Sequence, residues 1–190
     1  MSLTYKFNGA KRIIRRLDTP ERETLNAICQ EIYSAQRRLV QASHEPLGKC
    51  IHSCEGLCCK NVRVDNIIGT PDFIYLLTVA PHMGKRIEAR LPDEKPMYSA
   101  DCIFLQNGTG PCMFPEGVRP EVCVTTFCGD HRSVRKEISR LKRKFFKLDA
   151  FIRLRRPHRL FRALCSLGSG NASDLSLRVL CFLAIPIASL

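Results

Sequence analysis

Eight of the chain's eleven cysteines fall between Cys50 and Cys128. They form two knots, Cys50, Cys54, Cys58 and Cys59 in the first and Cys102, Cys112, Cys123 and Cys128 in the second. Thiols at this density act together, as a disulfide framework, a structural zinc site or an iron–sulfur cluster. The stretch from Met1 to Arg16 has no apolar run of signal-peptide length, and Lys and Arg alternate there with short apolar pairs. Export is therefore not expected, and the chain reads as cytoplasmic. In a reducing compartment a thiolate held by metal is protected from oxidation, so metal ligation is favoured over disulfides.

Spacing bears on which metal. Zinc knuckles pair their ligands with two to four residues between them, a pattern met by Cys50/Cys54, Cys54/Cys58 and, less closely, Cys123/Cys128. The adjacent Cys58 and Cys59 do not easily both reach one small ion, but they can reach different corners of a polynuclear centre. An iron–sulfur cluster, for example a 4Fe–4S centre, is favoured, with zinc as the alternative. Gly56, separated by Leu57 from the Cys58–Cys59 pair, permits the tight turn that aims backbone amides at a sulfur. His52 is read as a loop residue rather than a ligand, since four thiols already surround it. Cys29 falls on the apolar face of a helix and is read as a core hydrophobe.

The run Cys50, Cys54, Glu55, Gly56, Leu57, Cys58, Cys59, followed by Cys102, Leu105, Gly110, Cys112, Arg119, Pro120, Cys123, Phe127 and Cys128, resembles the YkgJ-like cysteine-cluster family. The resemblance covers about residues 50 to 128. It implies a zinc- or iron-chelating domain, and some relatives in that family look like iron–sulfur proteins.

The knots must be positioned by helices. Thr19, Pro20, Glu21 and Glu23 make a helix start, and Leu25, Ile28, Cys29, Ile32, Leu39 and Val40 recur at helical spacing, which predicts a helix from about 20 to 43. Pro46 and Gly48 end it and deliver the chain to Cys50. Thr70-Pro71-Asp72 repeats the same start before Phe73, Ile74, Leu76, Leu77 and Val79, predicting a helix over about 71–80 that packs on the metal core. Asp72 there is explained by the helix dipole rather than by catalysis. Residues 61–68 and 98–105 alternate as short strands or extended segments, 85–97 reads as a charged exposed loop, and Asn107 to Gly110 as a turn. Val134, Ile138, Leu141, Phe145, Leu148 and Ile152 predict a long basic amphipathic helix to about Arg156, interrupted by Pro157.

The expected fold is thus α-rich with irregular metal-wrapping loops, a small cysteine-cluster domain with a basic C-terminal helical extension. Its divisions are a basic arm or short helix over 1–18, a helix plus metal-binding domain over 19–130, a basic helical segment over 131–167, and a linker with an apolar tail over 168–190. The tail from Val179 to Leu190 is too short to span a membrane and contains Pro186.

Of the net charge of +12, nearly all lies between His131 and Ala163, where thirteen Lys and Arg face only Glu137 and Asp149. Acidic partners therefore concern the C-terminal third. Phe145, Phe146, Phe151 and Phe161 among these charges have the chemistry to stack on bases or to dip into a membrane surface. A solvated helical face is favoured over a dedicated nucleic-acid site at 131–162. No Ser-His-Asp set, paired carboxylates or nucleotide loop is present, so an enzyme of cluster-dependent type is left open without a reaction, and a protein partner without an identity.

Overall fold

The computed structural model of the chain describes residues 1–43, 57–95, 98–108, 111–126 and 132–168. Cys50, His52, Cys54 and Cys128 lie outside them, as does the apolar tail. Seven α-helices are present among the described residues: α1 (Leu3–Arg15), α2 (Thr19–Ala42), α3 (Val64–Ile67), α4 (Thr70–Val79), α5 (Met83–Arg90), α6 (Glu121–Thr125) and α7 (Arg135–Gly168). There is no strand among the described residues, only two isolated antiparallel bridges. Met1–Asp149 forms one compact unit, and a second begins at Ala150.

Helix α4 is the centre of the first unit. Its Phe73, Ile74, Tyr75 and Leu76 are all fully buried, so neighbours cover it on every side, and each such side chain contributes about 1.5–3 kcal/mol by leaving water. On one side stands α1, whose Phe7 ring meets Phe73 edge-on at 5.4 Å. The N-terminal stretch thus takes the helical form of its two expected alternatives, with Leu3, Phe7 and Ala10 buried. Glu94 holds its first turn, accepting from the Leu3 amide at 2.8 Å, and the Lys6 ammonium donates to the Asp65 and Ile68 carbonyls at the end of α3.

Helix α2 begins one residue earlier than its Thr-Pro signal suggests. Asp18 is the cap, accepting from the Glu21 amide at 2.9 Å, while Glu21 accepts from the Asp18 amide at 3.2 Å, a reciprocal capping box. Leu25, Ile28, Cys29, Ile32 and Leu39 form the buried stripe as expected, joined by Ala35 and Gln36.

Three expectations need correction. The 85–97 stretch is not an exposed loop: α5 and a following 3₁₀ turn (Leu91–Asp93) occupy most of it, because Met83, Ile87 and Leu91 fall one helical turn apart and are buried beneath an otherwise charged surface. Residues 61–68 and 98–105 pair only at Val62 and Ala100, and α3 replaces the end of the first segment. Finally, α7 continues through Pro157 to Gly168, since one interior proline removes a single bond from a long ladder. In the first unit α7 buries Val134, Leu141, Phe145 and Leu148. The Phe145 ring meets Tyr75 edge-on at 5.4 Å, and Lys144 and Lys147 both reach Glu31 on α2, at 2.7 and 3.3 Å. Among the described residues no helix is long and apolar enough to cross a membrane.

Candidate metal centre

Five of the eight expected ligands are described: Cys58, Cys59, Cys102, Cys112 and Cys123. All five are free thiols, and they arrive on three separate pieces of chain. Cys58 and Cys59 sit on a 3₁₀ turn (Leu57–Cys59). Directly after it Asn61 adopts a positive φ of 52°, a conformation asparagine tolerates better than most residues, and its amide donates to the Asp101 carboxylate at 3.2 Å. Val62 and Ala100 then exchange both backbone hydrogen bonds, at 2.8 and 3.1 Å, and the Cys102 amide donates to the Cys59 carbonyl at 2.8 Å. Backbone bonding alone therefore sets Cys102 beside the Cys58–Cys59 pair.

The second bridge brings in Cys112. Leu105 and Cys112 pair across a tight hairpin, with the Met113 amide donating to the Phe104 carbonyl at 2.8 Å and the Gln106 amide to the Pro111 carbonyl at 2.9 Å. Beneath it Phe104 and Phe114 are buried with ring centroids 4.9 Å apart, an apolar floor for the turn.

Cys123 comes from α6, and the segment leading to it is clamped by three buried side chains from α2 and α4. Gln36 donates through Nε2 to the Arg119 carbonyl at 2.7 Å and accepts through Oε1 from the Arg119 amide at 3.2 Å. The Tyr75 hydroxyl donates to the Gly117 carbonyl at 2.6 Å. The Asp72 carboxylate accepts from the Gly69 amide at 2.7 Å and from the Glu121 amide at 2.8 Å, so one side chain satisfies the N-terminal amides of both α4 and α6. Asp72 does the dipole work expected of it and also ties the site to the core. Burial pushes its carboxyl up, against the two amide bonds that pull it down.

The five thiols act on one another electrostatically. Burial raises Cys59, and the neighbouring Cys58 and Cys102 raise it further. Cys102 is pushed up to about 11 by burial, with Cys112 and Cys58 adding to it. Burial also pushes Cys123 well up, reinforced by Cys112 and Cys102. Cys112 is raised by burial too, but the Arg119 guanidinium opposes the shift. Arg119 is itself buried, its Nε donating to the Phe114 carbonyl at 3.3 Å, and no carboxylate pairs with it among the described residues. In the absence of a cation, burial thus favours the protonated form of Cys59, Cys102, Cys112 and Cys123. A metal ion is the charge that reverses this, since it deprotonates the thiols that ligate it. The donor set thus fits a thiophilic metal, although no three donors stand in a ligating arrangement among the described residues.

Cys29 is apart from this group. It is fully buried on α2, its thiol is raised to about 12 by burial, and its hydrogen-bond partner is Thr78 on α4, which agrees with a core cysteine. Gln36 was not singled out by sequence, although a polar residue between Ile32 and Leu39 on an apolar stripe is a signal of a buried partner. Arg119 opposes the upward shift of the Cys112 thiol, which gives that residue a physical role. No family model matches the chain, and neither a curated protein nor a solved structure shows significant similarity to it.

Proposed function

We propose that the chain is a metal-binding protein that holds an iron–sulfur cluster, or zinc in its place, through ligands drawn from Cys50, Cys54, Cys58, Cys59, Cys102, Cys112, Cys123 and Cys128. The supporting observation is five free thiols from three chain segments that act on one another electrostatically, beside the buried Arg119 guanidinium, with which no carboxylate pairs among the described residues. Loops that close around such a centre, and a cytoplasmic setting, belong to the same proposal, as does the resemblance to the YkgJ-like family.

In this reading each group has a part. Cys58, Cys59, Cys102, Cys112 and Cys123 supply thiolates. Arg119 offsets part of the negative charge that several thiolates bring to one buried place. Gln36, Asp72 and Tyr75 fix the backbone that presents Arg119 and Cys123, and the Phe104–Phe114 floor keeps water from one side. Bound there, a cluster would supply electron transfer or structural closure, and zinc structural closure alone.

Serine replacements test the ligand set. Cys123→Ser and Cys58→Ser should lower the metal bound per chain, while Cys29→Ser, in the core, and Cys181→Ser, in the apolar stretch from Val179 to Leu190 outside the described residues, should leave it unchanged. Equal metal in all four variants would remove the assignment.

A further inference from the structure

Helix α7 carries a second feature that the cysteine site does not explain. At about 100° per residue, Arg135, Lys136, Ser139, Lys142, Arg143 and Phe146 fall within about 60° of one line along the helix, opposite the buried Leu141, Phe145 and Leu148. All six are exposed, and Arg135, Lys136, Ser139, Arg140 and Arg143, with Arg132 from the turn before the helix, line an open groove of about 460 Å³.

Counter-charge is scarce on this face. Glu137, the nearest acidic residue in the helix, points away from it and accepts from Arg140 at 2.7 Å. Lys144 and Lys147 lie to the side and are taken by Glu31. Among the described residues no ion pair holds Arg135, Lys136 or Arg143. Glu121 acts on Lys142 at one edge; the closely spaced guanidinium and ammonium groups of Arg135, Lys136 and Arg143 have the chemistry to bind a chain of phosphates.

Phe146 narrows the class. It is 73% exposed although its neighbour Phe145 is buried, and it sits near the middle line of the basic face. A bare aromatic ring flanked by cations gains nothing from water but stacks on an unpaired base while its neighbours hold the phosphates. A membrane helix would present a broad apolar face, whereas among the described side chains of α7 Leu141, Phe145 and Leu148 are buried and Phe146 and Leu154 are the large apolar groups left exposed. An intact duplex offers phosphates but no free base face.

We infer that the Arg135–Lys136–Arg143–Phe146 face of α7 is a binding surface for single-stranded nucleic acid, with the basic side chains on the phosphates and the Phe146 ring stacked on a base. It stands independently of the metal proposal, since none of its residues belongs to the cysteine site.

Fluorescence anisotropy of labelled oligo(U) and oligo(dT) with the full chain tests it, alongside a duplex and phosphatidylserine vesicles. Both single strands should bind at about 0.15 M salt with affinity falling steeply as salt rises, and the ratio between them assigns the preferred sugar. Phe146→Ala, at an exposed position, should weaken single-strand binding about tenfold and leave the duplex unaffected. Arg135→Ala with Arg143→Ala should weaken every nucleic acid and flatten the salt slope. No binding at that salt, an unchanged Phe146→Ala variant, or vesicle binding that exceeds oligonucleotide binding would overturn the assignment.

Discussion

Gln36 and Arg119, 83 residues apart in sequence, are joined by a reciprocal pair of hydrogen bonds in which the glutamine amide meets both backbone groups of the arginine residue, at 2.7 and 3.2 Å. The amide side chain acts as a one-residue strand partner. It docks the segment before Cys123 onto α2 and holds Arg119 within electrostatic reach of Cys112. The candidate metal site is therefore coupled to the helical core at a point where the helix itself offers no backbone bonds.

Gln36→Leu keeps the volume and removes both bonds, leaving a buried amide and carbonyl unpaired. The cost should be about 2–4 kcal/mol, measured by urea unfolding. Metal content should fall with it, because Arg119 and Cys123 lose their anchor. A change below about 0.5 kcal/mol would show that the segment holds its place without α2.

Gly117 and Gly108 form a matched pair for a second test. Both have positive φ, 76° and 75°, so alanine is strained at either. A Cβ at Gly117 would also meet the Tyr33 ring at 3.1 Å, whereas one at Gly108 meets nothing within 4 Å. Gly108→Ala should cost about 1 kcal/mol and Gly117→Ala clearly more, read from denaturation midpoints. The reverse order would contradict the placement of the 117–121 segment against α2.

Much of the helical frame was legible because its signals are local. Asp18 to Glu21 and Gly69 to Asp72 start helices through chemistry confined to four residues, and the stripes of α2 and α7 repeat within each helix. Helix α5 was hidden because Met83, Ile87 and Leu91 give one apolar residue per turn among charges, too sparse a pattern to stand out from a loop. The extended segments failed for another reason: alternation at 61–68 and 98–105 states a preference but not a partner, and the two segments meet each other at the single pair Val62 and Ala100. In the site, cysteine type and density marked the thiols, but Gln36, Tyr75 and the second bond of Asp72 act across more than forty residues. No local pattern encodes those distances.

The Glu31 link between α2 and α7 makes a pH prediction. Its carboxyl is held below the ordinary glutamate value, first by the hydrogen bond from Lys144 and then by Lys147, against burial. A lowered value in the folded state gives stability that is complete above the unfolded value and drains away as pH falls through the folded one. With Glu31 38% exposed, the link is worth at most about 1 kcal/mol. Glu31→Gln should lose that amount at neutral pH, and the difference from the parent should shrink on acidification to about pH 3, so the two curves converge. Parallel curves across the range would place the acid sensitivity elsewhere.

Metal and sulfide analysis of the full chain, purified without oxygen and with iron supplied, tests the central claim most directly. The expected result is iron with matching acid-labile sulfide, and a broad visible absorption that bleaches on reduction. Stoichiometric zinc in a colourless protein would decide for the alternative metal. A chain that carries neither metal under those conditions, yet melts cooperatively with all its thiols free, would contradict the proposal that these cysteines are ligands.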